Sequence, residues 1–396
     1  MKKVVAALFL FAAPLLAQTS DQITFQRTFL LRNSTGTTFN PGETPRRPHI
    51  IERGAWTTFY DGALFLTFSS ETGPEDQRNE IFSTNWVGGG AQRALGSRGL
   101  VLFRGRASLE PVTVPEKGYP QMLQFISAES GGPLLDSMRA HDLIGEAAMH
   151  LAFRTTTASF VHLYTGLVGT PAFGAAPYAL RSSSEEFAEA PFAYDVQETM
   201  HDSTQVITAG FGSRWIALEA SVFHDGVTTG RHTSIDNGDI DSRSARLTIT
   251  PVRSLALQIS RADLGDDERE ATSASLTWAN DRFAASAIYT TRQTASGEEL
   301  SAGTAETKIM LGNNTFMARV EAVDRPSGFL GNPAVERTAH FTVGYLYDFF
   351  RRYGYRAGAG MNFDYHTQTH DLANRYGHKP QAIYLFARIR TDATRK

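Results

Sequence analysis

Cysteine and long apolar segments are missing from this chain of 396 residues. The absence of cysteine excludes disulfide bonds, thiolate sites and a lipid-modified N-terminal cysteine. After residue 17, no segment approaches the roughly 18 uninterrupted apolar residues that a membrane-spanning helix needs. The formal net charge of −3 is small and its charges are scattered, so the sequence predicts no nucleic-acid partner.

The N-terminus has the order of parts of a secretory signal peptide. Lys2 and Lys3 precede an apolar run over residues 4–16, and Ala17 supplies the small residue that cleavage requires. The run is too short to cross a bilayer as a permanent helix. We therefore predict a signal peptide over residues 1–17 and a secreted protein.

Residues 341–365 show the clearest periodicity in the chain. Their odd positions, such as Phe341 and Tyr345, are apolar or aromatic, whereas the even positions include Asp348 and Arg356. A period of two over two consecutive segments indicates β-structure. One face rich in aromatics and one charged face are typical of a transmembrane β-hairpin between lipid and water.

The same alternation predicts about sixteen strands, separated by segments rich in turn-forming residues. The predicted strands cover residues 55–69, 80–90, 99–110, 141–153, 159–168, 202–212, 215–224, 241–250, 254–262, 270–279, 282–291, 301–311, 315–323, 340–349, 354–365 and 381–389. Tight turns such as 280–281 and 312–314 alternate with long connections such as 111–140 and 169–200. Short turns of outer-membrane barrels face the periplasm and long loops face outward. The sequence thus predicts one all-β, antiparallel transmembrane β-barrel over residues 54–391, with both termini in the periplasm.

Aromatic residues gather beside the short turns, as in the periplasmic girdle of a barrel. They are Phe153, Phe160, Phe211, Trp215, Trp278, Phe283, Phe316, Phe349, Phe350, Tyr353 and Tyr355. A soluble propeller also needs many short strands, but it predicts a blade repeat that the sequence does not contain. The outer membrane is therefore the predicted location.

Residues 18–53 have no sustained periodicity and are rich in turn formers such as Asn33, Pro41 and Gly42. Two interpretations stay open at this point. The segment is either a flexible periplasmic tail or a piece of chain that folds into the barrel lumen.

Alternation also assigns the side chains that face the interior. The predicted pore-lining residues are Arg104, Arg106, Glu146, His150, Arg246, Glu306, Lys308, Arg319, Glu321 and Arg356, and alternation also directs inward Glu219, Gln258, His340, Asn362 and Asp364. Both signs of charge therefore face the lumen. On one hairpin, residues 306, 308, 319 and 321 are expected to pair across adjacent strands. In an open pore they would set its selectivity.

Histidines collect at the predicted outer rim. His141 with Asp142, and His201 with Asp202, each open a strand directly after one of the two longest loops. The other histidines in or beside outer loops are His224, His232, His366, His370 and His378. Imidazole is the commonest metal ligand, and a neighbouring carboxylate orients the ring or adds a ligand. A copper or zinc site at residues 141, 142, 201 and 202 is therefore one hypothesis, and solvent-exposed loop histidines are the other.

An enzymatic function is not predicted, and no catalytic residue is assigned. Barrel hydrolases need a nucleophile beside a base, and His150 with Ser108 or Thr248 is not a constellation that sequence establishes.

Several segments resemble a family of uncharacterised Gram-negative outer-membrane proteins. They are YPQMLQ at 119–124, AHDLIGE at 140–146, LYTGLVG at 163–169, HDSTQVITAGF at 201–211 and GYLYDF at 344–349. The resemblance extends over most of residues 54–390. Members are often encoded near copper-resistance or multicopper-oxidase genes, which implies a context of copper handling. Where the family has His-Pro-His-Asp this chain has Arg-Ala-His-Asp at 139–142, and Gln205 replaces a family histidine. Only His141, Asp142, Asp202 and Ser203 carry over.

Two functions fit these observations. The leading one is a porin-like channel for small solutes, because a barrel of this strand number is wide enough for an aqueous lumen. The alternative is a plugged barrel with a metal-binding or structural role in metal homeostasis, in which the rim histidines hold copper or zinc. Loop 169–200 carries aromatics such as Phe187 and Phe192 beside three prolines, so we expect it to pack inward. The expected partners are outer-membrane lipid and small solutes, and the sequence leaves the oligomeric state open.

Overall fold

The structure, a computed structural model, describes residues 34–44, 48–72, 78–127, 133–225, 233–235, 237–265, 269–329, 334–367 and 373–392. The predicted signal peptide lies outside these ranges, as do residues 18–33, His232 and His370. Within these ranges no helix is long and apolar enough to cross a membrane.

Strands make up most of the described chain. They are β1 (His49–Arg53), β2 (Trp56–Thr72), β3 (Asn79–Leu95), β4 (Gly99–Ala107), β5 (Tyr119–Ser127), β6 (Pro133–Met138), β7 (Ile144–Arg154), β8 (Ser159–Gly169), β9 (Ser203–Ser213), β10 (Ile216–His224), β11 (Ser242–Val252), β12 (Leu255–Leu264), β13 (Arg269–Ala279), β14 (Phe283–Gln293), β15 (Glu299–Leu311), β16 (Asn314–Arg325), β17 (Glu336–Arg352), β18 (Tyr355–Thr367) and β19 (Gln381–Thr391). Among the described residues, three four-residue α-helices lie in outer loops: α1 (Glu110–Thr113), α2 (Tyr194–Gln197) and α3 (Ala373–Tyr376).

Sixteen of these strands close into one antiparallel barrel. Neighbours in the chain pair with each other, β4 pairs with β7, and β19 pairs with β2 to close the wall. β1 extends this wall only as a short hairpin with β2, and β5 pairs with β6 in a separate two-stranded sheet. The fold prediction is confirmed, because each of the sixteen predicted strands corresponds to one wall strand.

Alternation places polar groups inside and apolar groups outside. On β2, Phe68 and Leu66 are exposed on the outer face while Thr67 and Ser69 are fully buried. The pattern follows from the two solvents, since lipid favours the apolar face and the polar face needs partners inside. Exposed aromatics such as Phe349 and Tyr353 lie beside the short turns and form the predicted girdle.

Several predicted strand ends differ from the structure by three to five residues, and two of these differences bear on the site. β4 ends at Ala107, and the chain then forms α1, where a predicted strand continued to residue 110. Pro111 explains the early end, because proline suits the first turn of a helix and cannot donate to a strand ladder. β7 begins at Ile144, so His141 and Asp142 lie in the loop before it instead of opening the strand.

The interior is occupied by the third outer loop, residues 170–202, which we call the plug loop. It connects β8 to β9, and nearly all of its residues are buried. Phe192 and Tyr194 pack in one apolar cluster with wall residues Leu300 and Val323. The expectation that this loop packs inward is confirmed.

Candidate functional site

The plug loop is built from tight turns that proline begins. Leu180 N donates to Pro177 O at 2.9 Å, and Tyr194 N donates to Pro191 O at 3.1 Å. These local bonds satisfy backbone groups that would otherwise be buried without partners. The loop can therefore fill the lumen without forming a strand of its own.

The tip of the plug loop is acidic and faces a basic patch of the wall. Glu185 lies 2.7 Å from Lys308 Nζ and 2.6 Å from Arg390, and Glu186 lies 2.6 Å from both Arg390 and Arg356. Arg388 also approaches Glu186, at 3.3 Å. We call Lys308, Arg356, Arg388 and Arg390 the basic patch.

Charge pairing outweighs burial at this tip. Burial alone would raise the pKa of Glu185, but the charges of Arg390 and Lys308 lower it to about 2. Burial likewise opposes ionisation of Glu186, and Arg388, Arg390 and other cations hold its pKa well below the ordinary value. Both carboxylates are therefore ionised at neutral pH. Arg388 and Arg390 were missed in the sequence, although alternation along residues 381–391 directs both of them inward.

A second ionic anchor lies at Arg181. Its guanidinium contacts Glu306 Oε1 at 2.6 Å and Glu198 Oε1 at 2.8 Å, and all three side chains are almost fully buried. Glu306 also pairs with Arg319 across β15 and β16 at 3.3 Å, as expected from the sequence. The expected pairing within this hairpin does not extend to Lys308 and Glu321, because Lys308 binds the plug loop and Glu321 binds both the plug loop and His340 on β17, at 3.1 Å. Lys308 binds Glu185, and Glu321 accepts hydrogen bonds from the backbone N of Phe192 and Ala193.

The plug loop reaches the opposite side of the barrel as well. Gly174 N donates to Ser260 on β12 at 2.9 Å, and Gly174 O accepts from Arg246 on β11 at 3.3 Å. Ala188 O accepts a hydrogen bond from Thr84 on β3 at 3.2 Å. The plug loop therefore crosses the lumen and is held from several directions.

Part of the N-terminal segment also lies inside the barrel. Gly36 N donates to Glu146 Oε1 at 2.8 Å, and Arg104, which pairs with Glu146 at 2.9 Å, donates to Gly36 O. Gly36 has φ +54°, and a Cβ there would meet Thr170 O at 2.2 Å, so this contact requires glycine. Residues 34–44 are thus lumenal, whereas residues 18–33 lie outside the described ranges.

The predicted pore-lining residues mostly face protein instead of water. Arg104, Glu146, His150, Arg246, Glu306, Lys308, Arg319, Glu321 and Arg356 are all buried, and Arg106 is half-buried. His150 packs against the rings of His162 and Tyr164 at 5.5 and 4.9 Å. Ser108, weighed above as a nucleophile, donates to Asn85 O at 2.7 Å.

The four predicted metal ligands come together at one cavity. His141, Asp142, His201 and Asp202 line a space of about 60 Å³ beside Glu110, which we call the rim cavity and which has room for a few waters. The His141 and His201 rings lie 5.7 Å apart, and His141 Nδ1 lies 2.8 Å from Glu110 Oε2. Burial lowers the pKa of His141, but the charge and hydrogen bond of Glu110 outweigh burial and raise it to about 9. The imidazole is therefore protonated at neutral pH, and a metal would have to displace that proton.

A tighter histidine group lies elsewhere in the barrel. His340, Asp364 and His366 have ligand atoms within 4.8 Å of one another, and no other such group of three occurs in the part of the chain that the structure describes. The sequence interpretation assigned His366 to the rim. Continuing the alternation of β18 by one step would have directed it inward.

Comparisons with known proteins support the fold class. No protein-family model matches the chain, and its sequence matches none of the curated proteins. A solved OmpF from Salmonella typhi, in complex with daunomycin, has a TM-score of 0.53 and 10% identity, and the match covers 86% of this chain and 100% of that one. An anion-selective porin from Comamonas acidovorans gives 0.52 at 10% identity, covering 85% of this chain and 99% of that one. A loop-deletion mutant of OmpT, an outer-membrane protein of Vibrio cholerae, has a TM-score of 0.52 and 10% identity, and the match covers 85% of this chain and 100% of that one. The fold is therefore that of outer-membrane porins, and the similarity to the copper-associated family stays a prediction.

Proposed function

We propose that this protein is a porin-like outer-membrane channel for small solutes, which the plug loop holds closed. The observation that carries the proposal is the set of buried ion pairs that join the plug loop to the wall across the lumen. A closed state of this kind conducts poorly until the plug loop moves. Transport is then governed by the anchors of the plug loop instead of by the width of the barrel.

The chemistry of these contacts favours a removable plug. The chain has no cysteine, so no covalent bond fixes the loop. Replacing a buried ion pair by apolar packing is often neutral or stabilising, so ionic contacts add little net stability to a permanently filled core. The same charged wall would be well solvated by water after the plug loop leaves. The charged inner wall is thus compatible with two states of the lumen, one filled by the plug loop and one filled by water.

Deleting residues 172–198 tests this proposal. The purified protein should conduct poorly in planar bilayers, and the deletion should raise its conductance several-fold because the contacts that cross the lumen are removed. A matched control shortens the outer turn at residues 294–298, which is mostly exposed, and should leave conductance unchanged. An unmodified protein that already conducts like the deletion variant would refute a closed lumen.

A second candidate function is metal binding at the rim cavity. It is favoured by the convergence of His141, Asp142, His201 and Asp202 on one space. The double variant His141→Ala with His201→Ala should then abolish tight copper or zinc binding while leaving ion flow nearly unchanged. Because the His141 proton competes with the ion, affinity should rise as the pH approaches 9. Equal metal binding by the double variant would exclude this site.

A further inference from the structure

We propose that His340, Asp364 and His366 form a binding site for a divalent transition-metal cation of the Zn²⁺ class. The site lies between β17 and β18, none of its three ligands lines the rim cavity, and the proposal is independent of how the channel works. His340 and His366 are direct partners in the strand register, and Asp364 is the partner of Thr342. Register therefore brings all three ligands to one point of the inner wall.

The donor atoms of His366 and Asp364 are buried and lack the hydrogen-bond partners that buried polar atoms normally have. His366 is 2% exposed, and neither of its ring nitrogens has a hydrogen-bond partner among the described residues. Neither oxygen of Asp364 has a well-oriented hydrogen bond there, although Oδ2 lies 3.2 Å from His340 Nε2. Buried unsatisfied groups are rare and costly, and an ion is one of the few things that satisfy several at once.

Glu321 gives His340 the orientation of a metal ligand. His340 Nδ1 lies 3.1 Å from Glu321 Oε2, while Nε2 faces Asp364. When Nδ1 donates its proton to the carboxylate, Nε2 carries the lone pair, which the Thr342 hydroxyl approaches at 3.4 Å and which an ion would take in its place. This is the carboxylate–histidine–metal arrangement that fixes tautomer and ring direction at zinc sites.

The geometry and the donor set select the class of ion. Because the three donor atoms lie within 4.8 Å of one another, shifts of roughly 0.7 Å or less would bring them to zinc-ligand distances. The His340 and His366 rings are stacked, with centroids 4.5 Å apart and planes 8° from parallel, so binding also requires one ring to rotate until its lone pair points at the ion. Two imidazoles and one carboxylate, with no sulfur, suit Zn²⁺ or a similar borderline divalent ion better than soft Cu(I).

The site also touches the plug loop. Phe192 packs against the rings of His340 and His366, with centroids 5.1 and 5.8 Å away. Glu321, which orients His340, accepts the backbone hydrogen bonds of Phe192 and Ala193. An ion at this site would therefore be covered by the plug loop, so loading requires the loop to move or the barrel to fold around the ion.

Metal analysis of the full-length protein tests the site. Chelator-treated protein is refolded with Zn²⁺ and dialysed, and bound zinc is counted per chain. We expect one tightly held Zn²⁺ in the unmodified protein and in the control His378→Ala, which changes an exposed histidine of another outer loop. His366→Phe fills the same space without a ligand, and Asp364→Asn removes the charge, so both should lose the ion. Far-UV circular dichroism checks that each variant folds.

The variant Glu321→Gln tests whether Glu321 orients His340 as a metal ligand. It leaves all three ligands in place, so zinc affinity should fall about 10- to 100-fold without loss of the one-to-one stoichiometry. Cobalt provides a second readout, because its visible absorption bands report a bound, nitrogen-containing coordination shell. An unmodified protein that binds neither ion overturns the proposal. So does zinc that survives His366→Phe but is lost in His141→Ala with His201→Ala, which would assign it to the rim cavity.

Discussion

Neutralising Glu186 should release the plug loop. Glu186 is fully buried and contacts Arg356, Arg388 and Arg390, so Glu186→Gln leaves three guanidinium groups short of one negative charge. The substitution conserves shape, and the effect is therefore electrostatic. Removing one partner of a buried pair costs about 3–5 kcal/mol.

The acidic residues that remain near the three arginines determine how much stability Glu186→Gln removes within the range of about 3–5 kcal/mol. Asp348 still contacts Arg388 and lies 3.5 Å from Arg356, and Glu185 still contacts Arg390. Because each arginine keeps one partner, we expect the lower end, about 3 kcal/mol, which shifts the ratio of released to docked plug loop about a hundredfold.

Single-channel recording in planar bilayers measures this ratio as open probability. The control Glu270→Gln disrupts an ion pair with Arg261 in which both side chains are at least half exposed, and such pairs are worth about 0–1 kcal/mol. It should leave the open probability unchanged. If Glu186→Gln and Glu270→Gln had the same open probability, the ion pairs of Glu186 would not be what holds the plug loop in the lumen.

Three further predictions concern pH, lipid contact and topology. Burial, with the charge of Asp364, raises the pKa of Glu189 from 4.5 to about 7. The docked plug loop therefore disfavours the ionised form of Glu189, and docking loses stability as the pH rises from about 4.5 through about 7. The open probability of the channel should increase over that pH range. The variant Glu189→Gln should not show this increase. Leu257→Arg on the lipid face should destabilise the barrel by about 2–4 kcal/mol in denaturant unfolding from bilayers, and the apolar control Leu257→Met far less; equal tolerance would contradict a membrane wall. Protease added to intact cells should cut at 225–240 and spare both the buried plug loop and the turn at 312–314, whose cleavage would reverse the proposed orientation.

The sequence by itself determined the wall of this protein. Each strand residue faces either lipid or the interior, and that choice is local, so alternation around Leu257 or Phe341 is readable without any knowledge of distant partners. Turn residues and aromatics beside them then set strand number and direction. The inward direction of Arg388 was also available from alternation within the predicted strand 381–389, and that of His366 from one further step beyond the predicted strand 354–365.

Only the tertiary structure decided what fills the wall. Glu186 lies 170 positions before Arg356 and 204 before Arg390, and no periodicity links a loop carboxylate to a particular guanidinium on a strand. The rim cavity joins His141 to His201 because two loops meet, and the His340–His366 pair depends on the register between β17 and β18. Contacts of this kind are set by how a closed barrel brings its loops and strands together, which is a property of the whole chain and of no single segment.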